Sequence, residues 1–244
     1  MAQLQLVVDH GKRHEVIRVA DLLADYVDII EIGYPELITF GLDIVKEIRE
    51  AHPNVTLCVD AKVFHGGTGV TRRCFEAGAN IVTVLASAPN PVIQQMVRHA
   101  REYNGKIMCD MDGVKRIGQR TAEVDGLGVN YVSIASGFLM EHEYDLHKRN
   151  HGSIFQLRPL ELAGAVKRNL IHAGLAIGTG VNMENIDMVM KLKPEIVMVG
   201  RGIFHNDEDP TTDRAPAPEI MRDRATQLRK AIGSLQVPSF PPSY

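Results

Sequence analysis

The stretch Tyr26–Lys62 reads YVDIIEIGYPELITFGLDIVKEIREAHPNVTLCVDAK. It opens on a short apolar run, Tyr26–Ile32, closed by Gly33. A longer segment, Leu37–Ala51, follows with apolar positions three and four residues apart. A second apolar run, Thr56–Val59, then ends in Asp60-Ala61-Lys62. Short runs without polar alternation fit parallel strands buried on both faces, and the three–four spacing fits an amphipathic helix. The stretch predicts one strand–helix–strand unit.

The same unit recurs along the chain. The other apolar runs are Leu4–Val8, Ala79–Leu85, Lys106–Met111, Tyr131–Ala135, Gly174–Ile177 and Ile196–Val199, and further helical patterns cover Asn90–Tyr103, Pro159–His172 and Asn182–Leu192. Pro35 and Pro159 suit helix starts, Asn182 a cap, and Gly78 and Gly128 helix exits. Eight such units in 244 residues predict a single α/β domain, a closed (β/α)8 TIM barrel over residues 1–236. An open doubly wound sheet would normally use fewer strands. Residues 237–244, VPSFPPSY, read as a Pro/Ser-rich tail. The connection 136–158 is long for a barrel loop and reads as a lid, with a solvated polar loop as the alternative; it carries His142, His147 and His151.

Composition narrows the classes. With 27 Lys+Arg against 30 Asp+Glu, the net charge of −3 exerts no general pull toward nucleic acid or an anionic membrane. No run approaches the ~20 apolar residues of a bilayer span. The start, MAQLQLVVDHGKRHE, lacks a signal-peptide pattern. Cys58, Cys74 and Cys109 form no CxxC pair, which argues against a disulfide framework or a structural zinc site. A reducing cytoplasmic setting is the expectation.

In a barrel of this kind the polar groups at the C-terminal strand ends carry the chemistry. Here these are Asp9, Glu31, Asp60 with Lys62, and Asp110 with Asp112. Clustered carboxylates need a cation to offset their repulsion. Lys62 supplies one charge, and a divalent ion on Glu31 and Asp60 would supply more; oxygen ligation suits Mg²⁺, or a similar cation such as Mn²⁺. For any one of these carboxylates a helix cap or a buried salt bridge is the alternative. Gly178-Thr179-Gly180 after the seventh run and Gly200-Arg201 after the eighth leave backbone N–H groups uncrowded, a pattern suited to a phosphate.

The order LVVD, VDIIEIG, VDAK, EAGANIVTVLA, AIGTGVNMENI and EIVMVGRGIF resembles the orotidine-phosphate decarboxylase superfamily. More narrowly it is similar to the metal-dependent branch of 3-hexulose-6-phosphate synthase and 3-keto-L-gulonate-6-phosphate decarboxylase. The resemblance implies Glu31 and Asp60 as Mg²⁺ ligands. It implies Asp9 and Lys62 as substrate contacts that stabilise an enediolate, and Gly178, Thr179, Gly180, Gly200 and Arg201 as the phosphate site. It also implies a keto-sugar phosphate substrate and a homodimer with active sites near the interface. The chain departs from the branch in four places. His65 replaces the last acid of Asp-x-Lys-x-x-Asp, Ala135-Ser136 replaces a His-containing pair, Asp112 stands at a usually apolar position, and the loop after the sixth strand is longer.

These departures touch the groups that move protons. The expectation drawn from them is C3-epimerisation of a ketohexose 6-phosphate such as fructose 6-phosphate, with the proton exchanged by two among Asp112, His65 and Asp60. A carbon–carbon lyase or synthase of the branch's own type is the alternative. A sugar-phosphate-binding protein without catalysis is a third reading.

Overall fold

The computed structural model describes residues 1–9, 11–135, 157–178, 180–204 and 216–234. Eight parallel strands close into a barrel in sequence order. They are β1 (Gln3–Val8), β2 (Ile29–Ile32), β3 (Thr56–Val63), β4 (Ile81–Leu85), β5 (Lys106–Asp110), β6 (Tyr131–Ile134), β7 (Gly174–Ile177) and β8 (Ile196–Val199). Around them run α1 (Arg13–Leu23), α2 (Tyr34–Phe40), α3 (Asp43–Ala51), α4 (Gly67–Glu76), α5 (Asn90–Glu102), α6 (Ile117–Gly126), α7 (Leu157–Asn169), α8 (Ile186–Met190), α9 (Arg201–Phe204) and α10 (Pro218–Ser234). The main core lies between strands and helices. A smaller apolar plug of Ile29, Cys58, Ile81, Met108, Ala176, Ile196 and Met198 fills the barrel interior. The three cysteines are buried free thiols.

A repeated polar device sets the lower end. Asp28, Asn80, Asn130 and Glu195 each stand one residue ahead of an even-numbered strand. Their side chains accept the backbone N–H of Leu4 (2.8 Å), Leu57 (2.9 Å), Ile107 (2.9 Å) and Leu175 (2.5 Å) on the preceding odd-numbered strand. Their own N–H groups donate back to the carbonyls of the same four residues at 2.8–2.9 Å. All four partners are fully buried, so without the clamp each would leave a costly unpaired N–H.

The clamps explain where the expected boundaries shift. The runs Tyr26–Ile32 and Ala79–Leu85 become strands only from Ile29 and Ile81, because Asp28 and Asn80 are spent on clamping. The helix expected over Leu37–Ala51 is two helices. Gly41 (φ +66°) ends α2 in a conformation that other residues adopt only with strain, and α3 restarts at Asp43. The helix expected to reach His172 stops at Asn169, because Asp125 on α6 accepts the N–H groups of Ile171, His172 and Ala173. The segment Asn182–Leu192 keeps only five helical residues; the Asn182 side chain instead closes a turn onto the N–H groups of Glu184 and Asn185. Of the connection 136–158, residues 157 and 158 open α7; the remainder with His142, His147 and His151, and the tail 237–244, lie outside the described residues.

Asn80 also accepts the Arg49 guanidinium at 2.6 Å. Asn80→Ala is expected to lower stability by about 1–3 kcal/mol, because it strands the Leu57 N–H. Urea denaturation of the two proteins checks this, and an unchanged midpoint would show the clamp to be energetically idle.

Candidate functional site

Above the apolar plug the inward positions turn polar. Gln5, Glu31, Asp60, Thr83, Asp110 and Ser133, one each from β1 to β6, are all buried. At their centre sits the Lys62 ammonium, 2.5 Å from Asp110 Oδ2, 3.3 Å from Asp112 Oδ2 and 3.6 Å from Asp60 Oδ2. Residues two apart on a strand share a face, so Lys62 follows Cys58 and Asp60 inward, but the strand is not regular there. The β3–β4 register shifts between Val59 and Val63, and Lys62 adopts φ +40°, a region disfavoured for a side-chain-bearing residue. The Lys62 N–H donates to Thr83 Oγ1 at 2.9 Å, and Thr83 in turn donates to Asp60 Oδ1 at 2.7 Å. One hydroxyl thus fixes both the bulge and the carboxylate beside it.

The electrostatics follow from one cation among several anions. Burial works against the charge of Lys62, yet Asp110, Asp60 and Asp112 outweigh it and hold the ammonium above its usual range. Burial pushes Glu31 well up, and the Asp60 charge adds to this; the hydrogen bond from the Gln5 amide and the Lys62 charge oppose it. Asp60 is raised by burial, against the pull of Lys62 and Thr83. Asp112 is raised by burial and by Asp110, with Lys62 opposing. The site holds more buried carboxyl groups than one ammonium can neutralise, a set of oxygen donors that suits a hard divalent cation. Among the described residues no three His, Cys, Asp or Glu side chains converge as a ligand group. Glu31 and Asp60 would therefore supply two oxygens and leave the other positions to water or substrate.

The structure brings together Glu31, Asp60, Lys62 and Asp112 of the expected residues. Asp9 stands at the tip of β1, crowded by the ends of β2 and β8: a Cβ on Gly33 would fall 2.7 Å from Asp9 Cβ, and one on Gly200 3.8 Å from Asp9 Oδ1. His65 is exposed in the loop after β3, and among the described residues no hydrogen bond or ion pair ties it to the cluster. Gly178 packs against Ala135, Gly180 has φ +67°, and Arg201 is exposed at the start of α9. Thr179 lies outside the described residues. The loops after β7 and β8 touch, since a methyl added at Gly202 would overlap the Val181 carbonyl oxygen.

Asp110, expected among the strand-end acids, is the nearest partner of Lys62, so for it the buried-salt-bridge alternative holds, inside the site. Two contributors escape the sequence reading. Gln5 and Thr83 position Glu31 and Asp60. Their signal is a polar residue at an inward position of an otherwise apolar run, QLQLVV and IVTVL.

The chain matches the model of the orotidine 5′-phosphate decarboxylase / HUMPS family over residues 2–214. It is 34% identical over 201 residues to the 3-hexulose-6-phosphate synthase of Bacillus subtilis, covering 82% of this chain and 90% of that one. The solved 3-hexulose-6-phosphate synthase from Salmonella typhimurium aligns with a TM-score of 0.79 at 26% identity, over 95% of this chain and 99% of that one. The 3-keto-L-gulonate-6-phosphate decarboxylase from Vibrio cholerae shares the fold, with a TM-score of 0.77 at 24% identity over 97% and 99% of the two chains. The chain belongs to the orotidine 5′-phosphate decarboxylase / HUMPS family. Its named relatives are synthases and a decarboxylase, which favours the lyase/synthase alternative over epimerisation. No helix among the described residues is long and apolar enough to cross a membrane.

Because the folded chain binds the Glu31 proton more tightly than the unfolded chain does, stability falls as pH rises from the ordinary glutamate range toward the folded value. In chelator-treated protein, Glu31→Gln is expected to raise the melting temperature by a few degrees at about pH 8 and to change it little at about pH 4. Equal shifts at both pH values would refute this account of the buried carboxyl.

Proposed function

We propose, from membership in this family, that the chain is a sugar-phosphate carbon–carbon synthase/lyase that joins formaldehyde to ribulose 5-phosphate and runs the reverse cleavage. The carrying observation is the Lys62 ammonium held among Asp60, Asp110 and Asp112 beside Glu31, in a chain 34% identical to a 3-hexulose-6-phosphate synthase.

The phosphate of the substrate is assigned to Gly178-Thr179-Gly180 and Gly200-Arg201, where backbone N–H groups and the guanidinium offer donors to an anion. That anchor sets the carbonyl end of the sugar over the polar layer. Glu31 and Asp60 would hold Mg²⁺ or Mn²⁺, which supplies Lewis-acid polarisation of the carbonyl when bound. Lys62 stands where negative charge develops on the substrate oxygens as the enediolate forms. Its three carboxylate neighbours keep it protonated, so it acts as a fixed positive charge at the site. Gln5 and Thr83 hold Glu31 and Asp60 in place, so that these carboxylates need not reorganise during turnover.

The proposal includes a homodimer. Tyr34 and Ile38 on α2, Phe64 after β3 and Val70 on α4 are exposed apolar side chains on successive segments that follow β2 and β3. A second copy of the chain is assigned to cover them, and light scattering on the purified protein tests it.

With ribulose 5-phosphate, formaldehyde and Mg²⁺, the protein is expected to consume both carbon substrates in equal amounts. EDTA should stop turnover and Mg²⁺ should restore it. Lys62→Met is expected to lower kcat about 100- to 1000-fold. Failure to consume formaldehyde would sink the synthase reading, and deuterium appearing at C3 of fructose 6-phosphate in D₂O would put epimerisation in its place.

A further inference from the structure

Three carboxylates surround Lys62, and they differ in what their oxygens are already doing. Asp110 is fully engaged: Oδ2 takes the Lys62 ammonium at 2.5 Å and Oδ1 accepts the backbone N–H of Asp112 at 3.0 Å. Its side chain is almost wholly closed to solvent. Asp60 is engaged as well, with Oδ1 on Thr83 at 2.7 Å and Oδ2 facing Lys62 at 3.6 Å. Asp112 has one oxygen committed, Oδ2 to Lys62 at 3.3 Å. Its Oδ1 is buried and, among the described residues, has no hydrogen-bond partner. A buried acceptor without a donor is unfavourable unless a ligand completes it.

The backbone at Asp112 is held from both sides. The N–H bond from Asp112 to Asp110 ends β5, and Gly113 (φ +75°) turns the chain immediately afterwards. On the neighbouring strand, Ser133 is buried and Ala135 has no group able to carry a proton.

We propose that Asp112 is the catalytic base that takes the proton from C1 of the ketose phosphate and returns it to the new hydroxyl. This rests on the synthase reading given above. The C1–H bond breaks, its proton passes to the Asp112 carboxylate, whose side chain keeps 22% of its surface exposed, and its electron pair forms the C1–C2 double bond of an enediolate whose charge lies beside Lys62. C1 then attacks the formaldehyde carbon. The C2 carbonyl re-forms, and the proton on Asp112 passes to the former formaldehyde oxygen. No oxidant or further reactant is needed. Desolvation favours the role because it raises the proton affinity of the carboxylate.

The test follows loss of the C1 hydrogen of ribulose 5-phosphate in D₂O by proton NMR, with formaldehyde absent, in the parent and in Asp112→Asn and Asp112→Ala. Both variants are expected to lose about 100- to 1000-fold in exchange rate and in kcat for synthesis, with KM for ribulose 5-phosphate little changed. Added formate should restore exchange to Asp112→Ala, which a purely structural role would not allow. Exchange at the parent rate in either folded variant overturns the assignment, as does a defect in Asp112→Ala that formate leaves untouched. Should Asp112→Asn fail to fold, Asp112→Glu carries the comparison: retained exchange supports the role, and exchange as slow as in Asp112→Ala refutes it. A parent that exchanges C1 hydrogen without making a hexulose phosphate would sink the synthase reading while leaving Asp112 its role. A parent inert in both assays would overturn both.

Discussion

One ammonium group among carboxylates governs this molecule's upper end. Lys62 is half-enclosed by Asp60, Asp110 and Asp112, with Glu31 and Asp9 close enough to add to the local negative potential. Coulomb attraction strengthens as water is excluded, but so does the repulsion among the acids. The arrangement can close only if the cation is aimed accurately. The chain meets that demand with a backbone irregularity, the displaced register of β3 and the positive φ of Lys62, held by the Thr83 hydroxyl. Lys62 lies on the same inward face as Asp60, and at this bulge its ammonium meets Asp110 and Asp112 of the β5 end.

Much of this was legible in the residue pattern. All eight strands were visible as apolar runs because both faces of a parallel barrel strand are buried, which removes the polar alternation that blurs antiparallel sheets. What the pattern hid were decisions made by side chains on backbone groups. Asp28 and Asn80 look like ordinary strand residues until their neighbours' N–H groups are in view. Asp125 stops a helix 44 residues away in sequence, a long-range effect that no local window contains. Gly41 was in plain sight, and the apolar spacing on either side of it masked the break.

The site shows the same division. Glu31, Asp60, Lys62 and Asp112 stood out because charged residues at strand ends are conspicuous. Gln5 and Thr83 did not, since a single neutral polar residue within an apolar run carries little signal on its own. His65 drew interest by its chemistry; it is exposed, and among the described residues no hydrogen bond or ion pair joins it to the cluster. The relatives also alter the weight given to the departures. On the resemblance, Ala135 after β6 stands where the branch has a His-containing pair, and relatives that are synthases give that departure no weight as a sign of epimerisation.

The four clamps at the lower rim have a consequence for how such a chain can change over time. Each joins an odd strand to the next even one, so the barrel floor is a ring of four equivalent two-strand modules, each locked independently of the opposite rim. Foldedness is secured at one pole and reactivity is composed at the other. Replacements among the upper side chains can therefore accumulate, and even exchange one catalytic repertoire for another, while the scaffold beneath them keeps its shape.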